Sequence, residues 1–586
     1  MVYCVALLSL ATIATASFVT NHNYRSPSHF HPGLGVSLRK VAARNNPSAA
    51  WNSSQLYFTH GVASGDPYDN SVILWTRAAP SLDDDKSNIT VSGNVPLYSH
   101  ETEEYVKASK APVCVEYKVA TDVAMKNCVD AGTAYTSSDI DYTIKVEAKN
   151  LKPYTQYYYQ FSICNSNNVS PIGRTKTTPS KGDKVNTAIK IAVYSCSNYP
   201  FGFFNAIGNP ARKDSVDYVV HLDLDLLLSH QQFAWIPVWD DHEVADNTFR
   251  DGSAELNNTE DSFIKDGGVS VDQRKMNAVR AYFEWMPIRQ VEMDDNLRIW
   301  RNFEIGDLMD LIMLDTRQYD RSITDLYTNT DYVHEISNDA GRSLMGSRQE
   351  NWFYNKLSES SKRGAAWRII GNQIVFSRIN ESISYGNENP LDYDAWDGYL
   401  ANKNRTLAHL YDNKINNTIF LAGDSHASWV SDLVWLDTHP YDPVTGDGSV
   451  GVEFAGSAVS SPCPYGQNIT LKSANNYSSI LVDSNRELQW QDLYYRGYYE
   501  ISVAKDAVHA AFFGMPTIAT RNGYEISLAN FTVMSGANRL LRSGHAVAGG
   551  VAESGSLKYG TISGTNITND TATGLYFISS YNLDTS

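Results

Sequence analysis

The chain has 586 residues, 42% of them hydrophobic and 19% charged, and carries a formal net charge of −17 at pH 7. This composition is that of a globular protein, not a disordered one, and the length allows several domains or one large α/β unit with a satellite. The negative charge repels polyanions, which argues against nucleic acid or an anionic membrane as a partner, and an anionic substrate would need a cation in the site.

The N-terminus has the pattern of a secretory leader. The apolar run at residues 5–13 is too short to span a bilayer, and Ala14-Thr15-Ala16 after it fits a signal peptidase site. We therefore predict a signal peptide at residues 1–16 and a secreted protein. No later segment is long and apolar enough to be a membrane helix.

Asn-X-Ser/Thr sequons support a eukaryotic secretory route. One sequon can arise by chance, but a set of them behind a leader predicts N-linked glycans on the surface. The sequons begin at Asn52, Asn88, Asn168, Asn257, Asn380, Asn404, Asn416, Asn468, Asn476, Asn530, Asn566 and Asn569.

Residues 55–179 are predicted to form an all-β domain. Alternating or β-branched and aromatic runs at 72–76, 113–119, 142–146 and 156–162 are separated by turn residues. The segment Leu151–Tyr157 resembles the tyrosine corner of fibronectin-type sandwiches.

Strands alternate with helices over residues 186–540, which predicts an α/β domain. Met276, Val279, Phe283 and Met286 share one face of a predicted helix over 273–286. Ser347–Glu350 has the capping-box pattern of a helix start. The Gly/Ser/Thr-rich stretch 543–586 is predicted to be a flexible tail.

Five apolar strands of this second region run directly into residues that can bind metal. Active sites of open α/β sheets lie at the carboxyl ends of strands, so these residues are expected to meet in one crevice. The strand ends carry Ser195-Cys196, Asp223, Asp240-Asp241-His242, Asp315-Thr316-Arg317 and Asp424-Ser425-His426.

The cysteines suggest one disulfide and one candidate metal ligand. Cys114 and Cys128 flank a predicted hairpin and are the best candidates for a disulfide, although sequence cannot fix connectivity. Cys196 at a strand end could bind a transition metal as a thiolate, and the alternative is a buried, inert thiol.

Several separated motifs in order resemble the PhoD family of alkaline phosphatases and phosphodiesterases. They are Phe58–Pro67 with Val72–Arg77, Tyr194–Ser197, Trp239–Glu243, Leu314–Arg317, Gly371–Gln373, and Gly423–His426 followed by Trp429. The resemblance runs from about residue 55 to 464. It implies an α/β (α+β) metallophosphoesterase core of mixed sheets with flanking helices, preceded by an all-β fibronectin III-like sandwich domain.

The resemblance also implies a cofactor and roles for single residues. The cofactors would be Fe3+ and Ca2+, and the substrates phosphate mono- or diesters. Cys196 would bind the iron, and one or both of Asp240 and Asp241 would be oxygen ligands of calcium. Of Asp424 and His426, one would be a ligand and one would lie by the attacking water. His242 would steady the transition state or protonate the leaving group, and Arg317 would bind phosphoryl oxygens.

Each of these residues also has a structural alternative when taken alone. Asp240-Asp241 could be a helix N-cap, His242 a solvated loop residue and Arg317 a surface ion-pair partner. Asn372 and Gln373 fit a ligand or a structural role equally well.

The sequence departs from the family pattern after Leu222. The family has a Gly-Asp-Tyr segment there, whose aspartate bridges the metals and whose tyrosine binds iron, whereas this chain continues with Asp223-Leu224-Asp225. Asp223 or Asp225 could replace the bridging aspartate, but neither has the glycine turn and no tyrosine follows. A non-catalytic secreted glycoprotein that keeps the fold as a binding module is therefore the alternative to an active phosphoesterase.

Overall fold

The computed structural model describes residues 18, 20–25, 51–80, 111–198, 201–222, 227–257, 259–265, 270–291, 297–542, 567–570 and 575–578. They fall into two compact units: residues up to 180 with 227–236 and 256–298, and residues 181–226, 237–255 and 299 onward. The signal peptide predicted at 1–16 lies outside the described residues, as does most of the predicted tail.

The strands of the described residues range from two to nine residues in length. In order they are β1 (Leu56–Tyr57), β2 (Val62–Gly65), β3 (Val72–Arg77), β4 (Ala79–Pro80), β5 (Val113–Ala120), β6 (Cys128–Thr136), β7 (Thr143–Ala148), β8 (Gln156–Ile163), β9 (Gly173–Lys176), β10 (Ile189–Tyr194), β11 (Tyr218–His221), β12 (Ala234–Pro237), β13 (Arg301–Ile305), β14 (Met309–Met313), β15 (Trp367–Gly371), β16 (Thr418–Ala422), β17 (Ser428–Leu433), β18 (Gly451–Ala455), β19 (Leu488–Asp492), β20 (Arg496–Val503), β21 (Ala507–Met515), β22 (Ile526–Met534), β23 (Ile567–Asp570) and β24 (Leu575–Ile578).

The α-helices of the described residues are fewer than the strands. They are α1 (Asn205–Lys213), α2 (Leu227–Gln232), α3 (Glu260–Lys265), α4 (Val271–Trp285), α5 (Thr330–Ile336), α6 (Gly346–Arg363), α7 (Ser382–Tyr385), α8 (Leu400–Asp412) and α9 (Leu471–Ser484).

The first unit contains two sheets that share one apolar core. An antiparallel sheet has the order β6-β5-β8-β9, and β12, β2, β3 and β7 pair in that order. Inward residues of both sheets, such as Leu74, Val115 and Tyr159, belong to a single buried cluster. The alternating strands predicted between residues 55 and 179 are therefore confirmed as a two-sheet arrangement, because each strand buries one face against the other sheet.

The tyrosine-corner pattern in this unit is also confirmed. The hydroxyl oxygen of Tyr157 accepts a hydrogen bond from the backbone N–H of Lys152 at 2.7 Å, and the Tyr157 side chain is buried. This bond fixes the chain just before strand β8.

The disulfide of the first unit differs from the prediction. Cys114 on β5 is bonded to Cys164, which directly follows β8, and their Cα atoms are 5.4 Å apart. The pairing predicted between Cys114 and Cys128 is wrong, because β8 pairs with β5 and brings Cys164 beside Cys114.

The second unit is built on two sheets with different pairing. One has the order β13-β14-β15-β16-β18-β17-β19, with parallel pairing from β14 to β18. In the other, β22, β21, β20 and β10 pair antiparallel, and β10 and β11 are parallel. Every residue of β14, β15, β16 and β18 is buried, which agrees with their largely apolar sequences.

Helices α6 and α8 cover the seven-stranded sheet through an apolar core. Phe353 and Leu357 of α6 and Leu410 of α8 are in one buried cluster with Phe420 of β16. Helix α6 begins at Gly346, and no side chain caps its first turn, so the predicted Ser347–Glu350 capping box does not form. The helix ends at Gly364, whose φ of +79° favours glycine.

The fold class predicted from the sequence is confirmed. The chain is a mixed α/β protein with several sheets and few helices, and its N-terminal region is all-β apart from short 3-10 turns. The strand ends of the second unit are the part of this architecture that positions the candidate site.

We predict that replacing both Cys114 and Cys164 by alanine lowers the free energy of unfolding by up to about 4 kcal/mol, since the bridge closes a loop of 50 residues in the unfolded chain. Denaturant unfolding with and without reductant measures the effect. Peptide mapping under non-reducing conditions is the control, and a Cys114–Cys128 peptide would contradict the assignment.

Candidate functional site

The predicted ligands lie in loops of the second unit that follow strands. Cys196 comes two residues after β10, Asp240 and Asp241 follow β12, Arg317 follows β14 and Asp424 follows β16. The fold therefore gathers short polar loops at carboxyl ends of strands, where α/β proteins place their sites.

Three aspartates form the centre of the site. One carboxylate oxygen from each of Asp240, Asp241 and Asp424 lies within 4.8 Å of the others. A second group, Asp241, His242 and Asp246, meets the same criterion, so Asp241 belongs to both. Clustered carboxylate oxygens are the ligands that hard cations such as Ca2+ prefer, and the arrangement can hold a metal ion.

The Asp241 carboxylate is fixed by backbone donors. Its two oxygens accept hydrogen bonds from the N–H groups of His242 at 2.9 Å and Asn247 at 2.8 Å. Burial alone would raise the pKa of Asp241, but the charge of Arg317 and the Asn247 hydrogen bond bring the pKa below its ordinary value. Asp241 is therefore held as an oriented anion.

Arg317 is the counter-ion of this acidic centre. Its side chain is fully buried, and its guanidinium donates hydrogen bonds to Asp240, Asp394 and Asp424 and lies 4.0 Å from Asp241. A buried charge is tolerated only when it is paired and hydrogen-bonded, as here. The guanidinium faces carboxylates and not the cavity described below, so the predicted binding of phosphoryl oxygens by Arg317 is not supported by this arrangement.

Asp424 is more easily neutralised than Asp241. Burial raises the pKa of Asp424 to about 7, with the positive charge of Arg317 opposing the shift and the negative charge of Asp241 adding to it. A cation bound at this position must therefore displace a proton from Asp424 below neutral pH.

Cys196 lies beside this centre without joining either group of carboxylates. It is buried, has a φ of +48°, and its Sγ lies 2.8 Å from the Ser195 Oγ. The same Ser195 hydroxyl accepts the backbone N–H of Asp424 at 3.1 Å. One serine thus ties the Cys196 loop to the Asp424 loop.

The two predicted histidines differ in environment. The Nδ1 of His426 lies 3.0 Å from the carbonyl oxygen of Pro462, so this nitrogen carries the proton and Nε2 keeps its lone pair. Burial, with Arg496 and His242 nearby, lowers the pKa of His426 to about 4. His242 has a 60% exposed side chain, and its Nε2 lies 3.7 Å from the Asp246 carboxylate.

These side chains open onto a cavity of about 500 Å³ within the second unit. Among its described lining residues, seven are aspartates and none is a lysine or an arginine. The described lining consists of Cys196, Asp240, Asp241, His242, Asp246, Asn247, Asp325, Tyr327, Thr330, Tyr385, Asn389, Leu391, Asp392, Tyr393, Asp394, Asp424, Ser425, His426 and Pro464.

Gln373 and Asn372 lie behind the site. The Gln373 carbonyl oxygen accepts from the Thr316 backbone at 3.0 Å, and its amide donates to the Trp239 carbonyl at 2.9 Å. Asn372 accepts a hydrogen bond from the Trp396 indole at 3.2 Å. Neither amide lines the cavity, and Gln373 joins the loops that carry Arg317 and Asp240. Asp223 lies outside the described residues.

Sequence reasoning missed four further aspartates of the cavity lining. They are Asp246, Asp325, Asp392 and Asp394, and no strand immediately precedes them. The only local signal was the acidic run Asp392-Tyr393-Asp394 in a long loop, which is as typical of a solvated surface.

Comparison with known proteins identifies the class and the family. The models of the PhoD-like phosphatase and of its N-terminal domain match residues 222–512 and 42–179. Alkaline phosphatase D of Bacillus subtilis (strain 168) is 30% identical over 571 aligned residues, which cover 89% of this chain and 88% of that protein. A solved structure of PhoD superposes with a TM-score of 0.67 at 27% identity, covering 84% of this chain and 93% of the other.

The fold, the acidic centre and these likenesses define a phosphoric ester hydrolase of the metallophosphatase class. The chain belongs to the PhoD family of phosphatases. Membership implies a metal cofactor and phosphate ester substrates. Within the described ranges, no helix is long and apolar enough to cross a membrane.

We predict that Arg317→Met lowers the free energy of unfolding of the metal-free protein by about 3–5 kcal/mol, because Asp240, Asp394 and Asp424 lose a buried counter-ion. The loss should be larger at pH 8 than at pH 5, where carboxylates can protonate. Denaturant unfolding at both pH values measures it. The matched control is Arg378→Met, which removes an exposed ion pair with Asp437 and should cost less than about 1 kcal/mol.

We also predict that divalent-cation affinity rises with pH up to about pH 7, by at most about tenfold per unit, because the cation competes with a proton on Asp424. The raised folded pKa means that protonated Asp424 stabilises the metal-free fold at low pH, and this contribution is lost as pH rises through 7. Calorimetric calcium titrations from pH 5 to 8 test this. Asp424→Asn should bind calcium more weakly and flatten the pH dependence; an unchanged slope would contradict the assignment.

Proposed function

We propose that this chain is a secreted metal-dependent phosphoesterase that hydrolyses phosphate mono- or diesters with a metal-activated water. The observation that supports this proposal best is the group of buried Asp240, buried Asp241 and partly buried Asp424. One oxygen of each lies within 4.8 Å of the others at a cavity of about 500 Å³. PhoD family membership supplies the reaction class.

The chemistry of the donor set fits the cations that the resemblance implies. Carboxylate oxygens at Asp240, Asp241 and Asp424 suit Ca2+. The Cys196 sulfur and the unprotonated Nε2 of His426 are softer donors on the same cavity and suit iron. When bound, these ions would neutralise the phosphate, lower the pKa of a water and support the leaving oxygen.

Residues of the chain provide the remaining functions. The backbone donors to Asp241 keep its carboxylate aimed at the centre, and Arg317 offsets repulsion among the aspartates. His242 lies at the cavity with an exposed imidazole, from which a proton can pass to the leaving alcohol oxygen. Arg317 and the backbone donors to Asp241 thus position the metal-binding carboxylates, and His242 holds the proton for the leaving group.

We further propose that this sequence lacks the family segment after Leu222 that carries a bridging aspartate and an iron-binding tyrosine. The adjoining motifs are intact, which favours a lost exon or a splice variant over an evolved design. Transcript sequences that insert a Gly-Asp-Tyr stretch between the codons for Leu222 and Asp223 would support this. Uniform transcripts without it, together with bound iron and turnover, would overturn it.

Secretion and N-glycosylation are proposed from the leader pattern and the sequons. Asn52, Asn257, Asn380, Asn416 and Asn530 are exposed, which suits glycan attachment. Expression in a secreting eukaryotic host, with analysis of the medium before and after glycosidase treatment, tests both proposals.

We predict that Asp241→Asn lowers kcat/KM for p-nitrophenyl phosphate or bis(p-nitrophenyl) phosphate by at least about 100-fold and reduces bound metal, since it removes a charged oxygen ligand while an amide oxygen can still accept a backbone N–H. Metal content by mass spectrometry and initial rates provide the measurement.

The matched control is Asp437→Asn, which removes an acid whose side chain is 88% exposed and should change neither quantity. Wild-type rates and metal content in Asp241→Asn would exclude this residue from the site. A wild-type protein without metal or turnover would instead point to the non-catalytic binding role.

A further inference from the structure

The candidate active-site cavity has a second wall that the metal-binding residues do not account for. Asp392, Leu391, Tyr385 and Tyr327 belong to this wall. Tyr385 and Tyr327 keep 53% and 70% of their surfaces exposed, which is high for large aromatic side chains. The wall therefore combines a carboxylate with open aromatic faces.

Asp392 differs from its neighbour Asp394 in lacking a counter-ion. The Asp394 carboxylate binds Arg317, accepts from Arg321 at 2.9 Å and accepts from Thr324 Oγ1 at 2.6 Å. Asp392 Oδ1 accepts only the N–H groups of Asp394 at 2.9 Å and Ala395 at 3.3 Å. Its Oδ2 has no donor in the part of the chain that the structure describes, and it lines the cavity.

Neighbouring acidic groups make an unpaired negative charge at Asp392 more unfavourable. Glu381 accepts the Tyr465 hydroxyl at 2.7 Å and likewise forms no ion pair among the described residues. Burial raises the pKa of Asp392 well above its usual range, and the negative charges of Asp394, Glu381 and Asp424 raise it further. A cation from outside the chain would relieve this repulsion.

Resting on the proposed function, we propose that this wall binds an alkylammonium group of the substrate, so that the enzyme prefers phosphate esters of amino alcohols. The ammonium would lie against the Asp392 carboxylate and the ring of Tyr385, while the phosphate lies at Asp241 and Asp424. Aromatic faces attract alkylated ammonium ions, and a carboxylate adds charge complementarity.

The two parts share one cavity, which agrees with a short substrate. Asp392 and Tyr385 line the same cavity of about 500 Å³ as Asp241 and Asp424. In a choline or ethanolamine ester only two carbons separate the ester oxygen from the nitrogen. A short zwitterion of this kind also carries less net negative charge into a cavity lined by seven aspartates than a simple phosphate monoester does.

The test compares two chromogenic diesters of equal shape, p-nitrophenyl phosphorylcholine and its 3,3-dimethylbutyl isostere, in which carbon replaces the quaternary nitrogen. The metal-loaded wild-type chain should show a kcat/KM at least about tenfold higher for the choline ester. Asp392→Asn should reduce that ratio to below about threefold, and Asp437→Asn should keep the wild-type ratio.

A binding measurement separates failure of this inference from failure of the proposed function. If neither ester is hydrolysed, calorimetry with phosphocholine and 3,3-dimethylbutyl phosphate measures the same charge preference without turnover, and a choline preference lost in Asp392→Asn still supports the inference. Equal rates in an active enzyme, or equal affinities in an inactive one, overturn it. The inference is also overturned if Asp392→Asn binds less calcium than the wild type and the wild type shows no choline preference. That result would assign this wall to a metal ion.

A comparison of a soluble ester with a lipid shows which kind of ammonium ester is the substrate. Turnover of glycerophosphocholine in solution, with none on phosphatidylcholine vesicles, indicates a soluble ester, and the reverse indicates a lipid headgroup. Either result supports the inference when it depends on Asp392.

Discussion

The buried guanidinium of Arg317 is the interaction on which the rest of the site depends. Asp240, Asp394 and Asp424 reach it from three different loops, and each would repel the others in a low-dielectric interior without it. Arg321 shares Asp394 and so extends the same network. The loops at the strand ends can converge because this positive charge is built into the loop after β14.

The carboxylates of the cavity differ in how this network pairs them. Asp241 lies farthest from the guanidinium and is held by backbone N–H groups, so it is the carboxylate most available to a cation. Asp392 lines the same cavity and has no hydrogen bond to either arginine among the described contacts. The cavity thus combines carboxylates that arginine neutralises with carboxylates that remain available to a ligand.

Much of the catalytic half of the site could be predicted from the sequence, because it follows a short-range rule. Cys196, Asp241 and Asp424 each come directly after a buried apolar strand, and parallel strands bring their carboxyl ends to one edge. The alternating β-strands of the first unit were equally readable, since each buries one face. These signals are local, and the geometry of a sheet converts them into proximity.

The remainder could not be predicted because it depends on contacts between distant segments. Asp392 lies in a long loop without periodicity, and nothing in its neighbours indicates that it lines the same cavity as Asp424. The partner of Cys114 was set by the pairing of β5 with β8 and not by hairpin proximity. The direction of the Arg317 side chain, toward carboxylates and away from the cavity, likewise follows from packing that no motif encodes.

The backbone at Cys196, Asp424 and His426 has an evolutionary consequence. All three have positive φ values, of +48°, +64° and +53°, a conformation that disfavours side chains with a Cβ by about 1 kcal/mol or more each. Selection for stability alone would favour glycine at these positions. Glycine would relieve the strain, but it would also remove the side-chain donor atoms. A lineage that no longer needed the catalytic activity would therefore replace these residues early. Glycine at 196, 424 or 426 in a related sequence would then indicate that the enzyme has lost its activity.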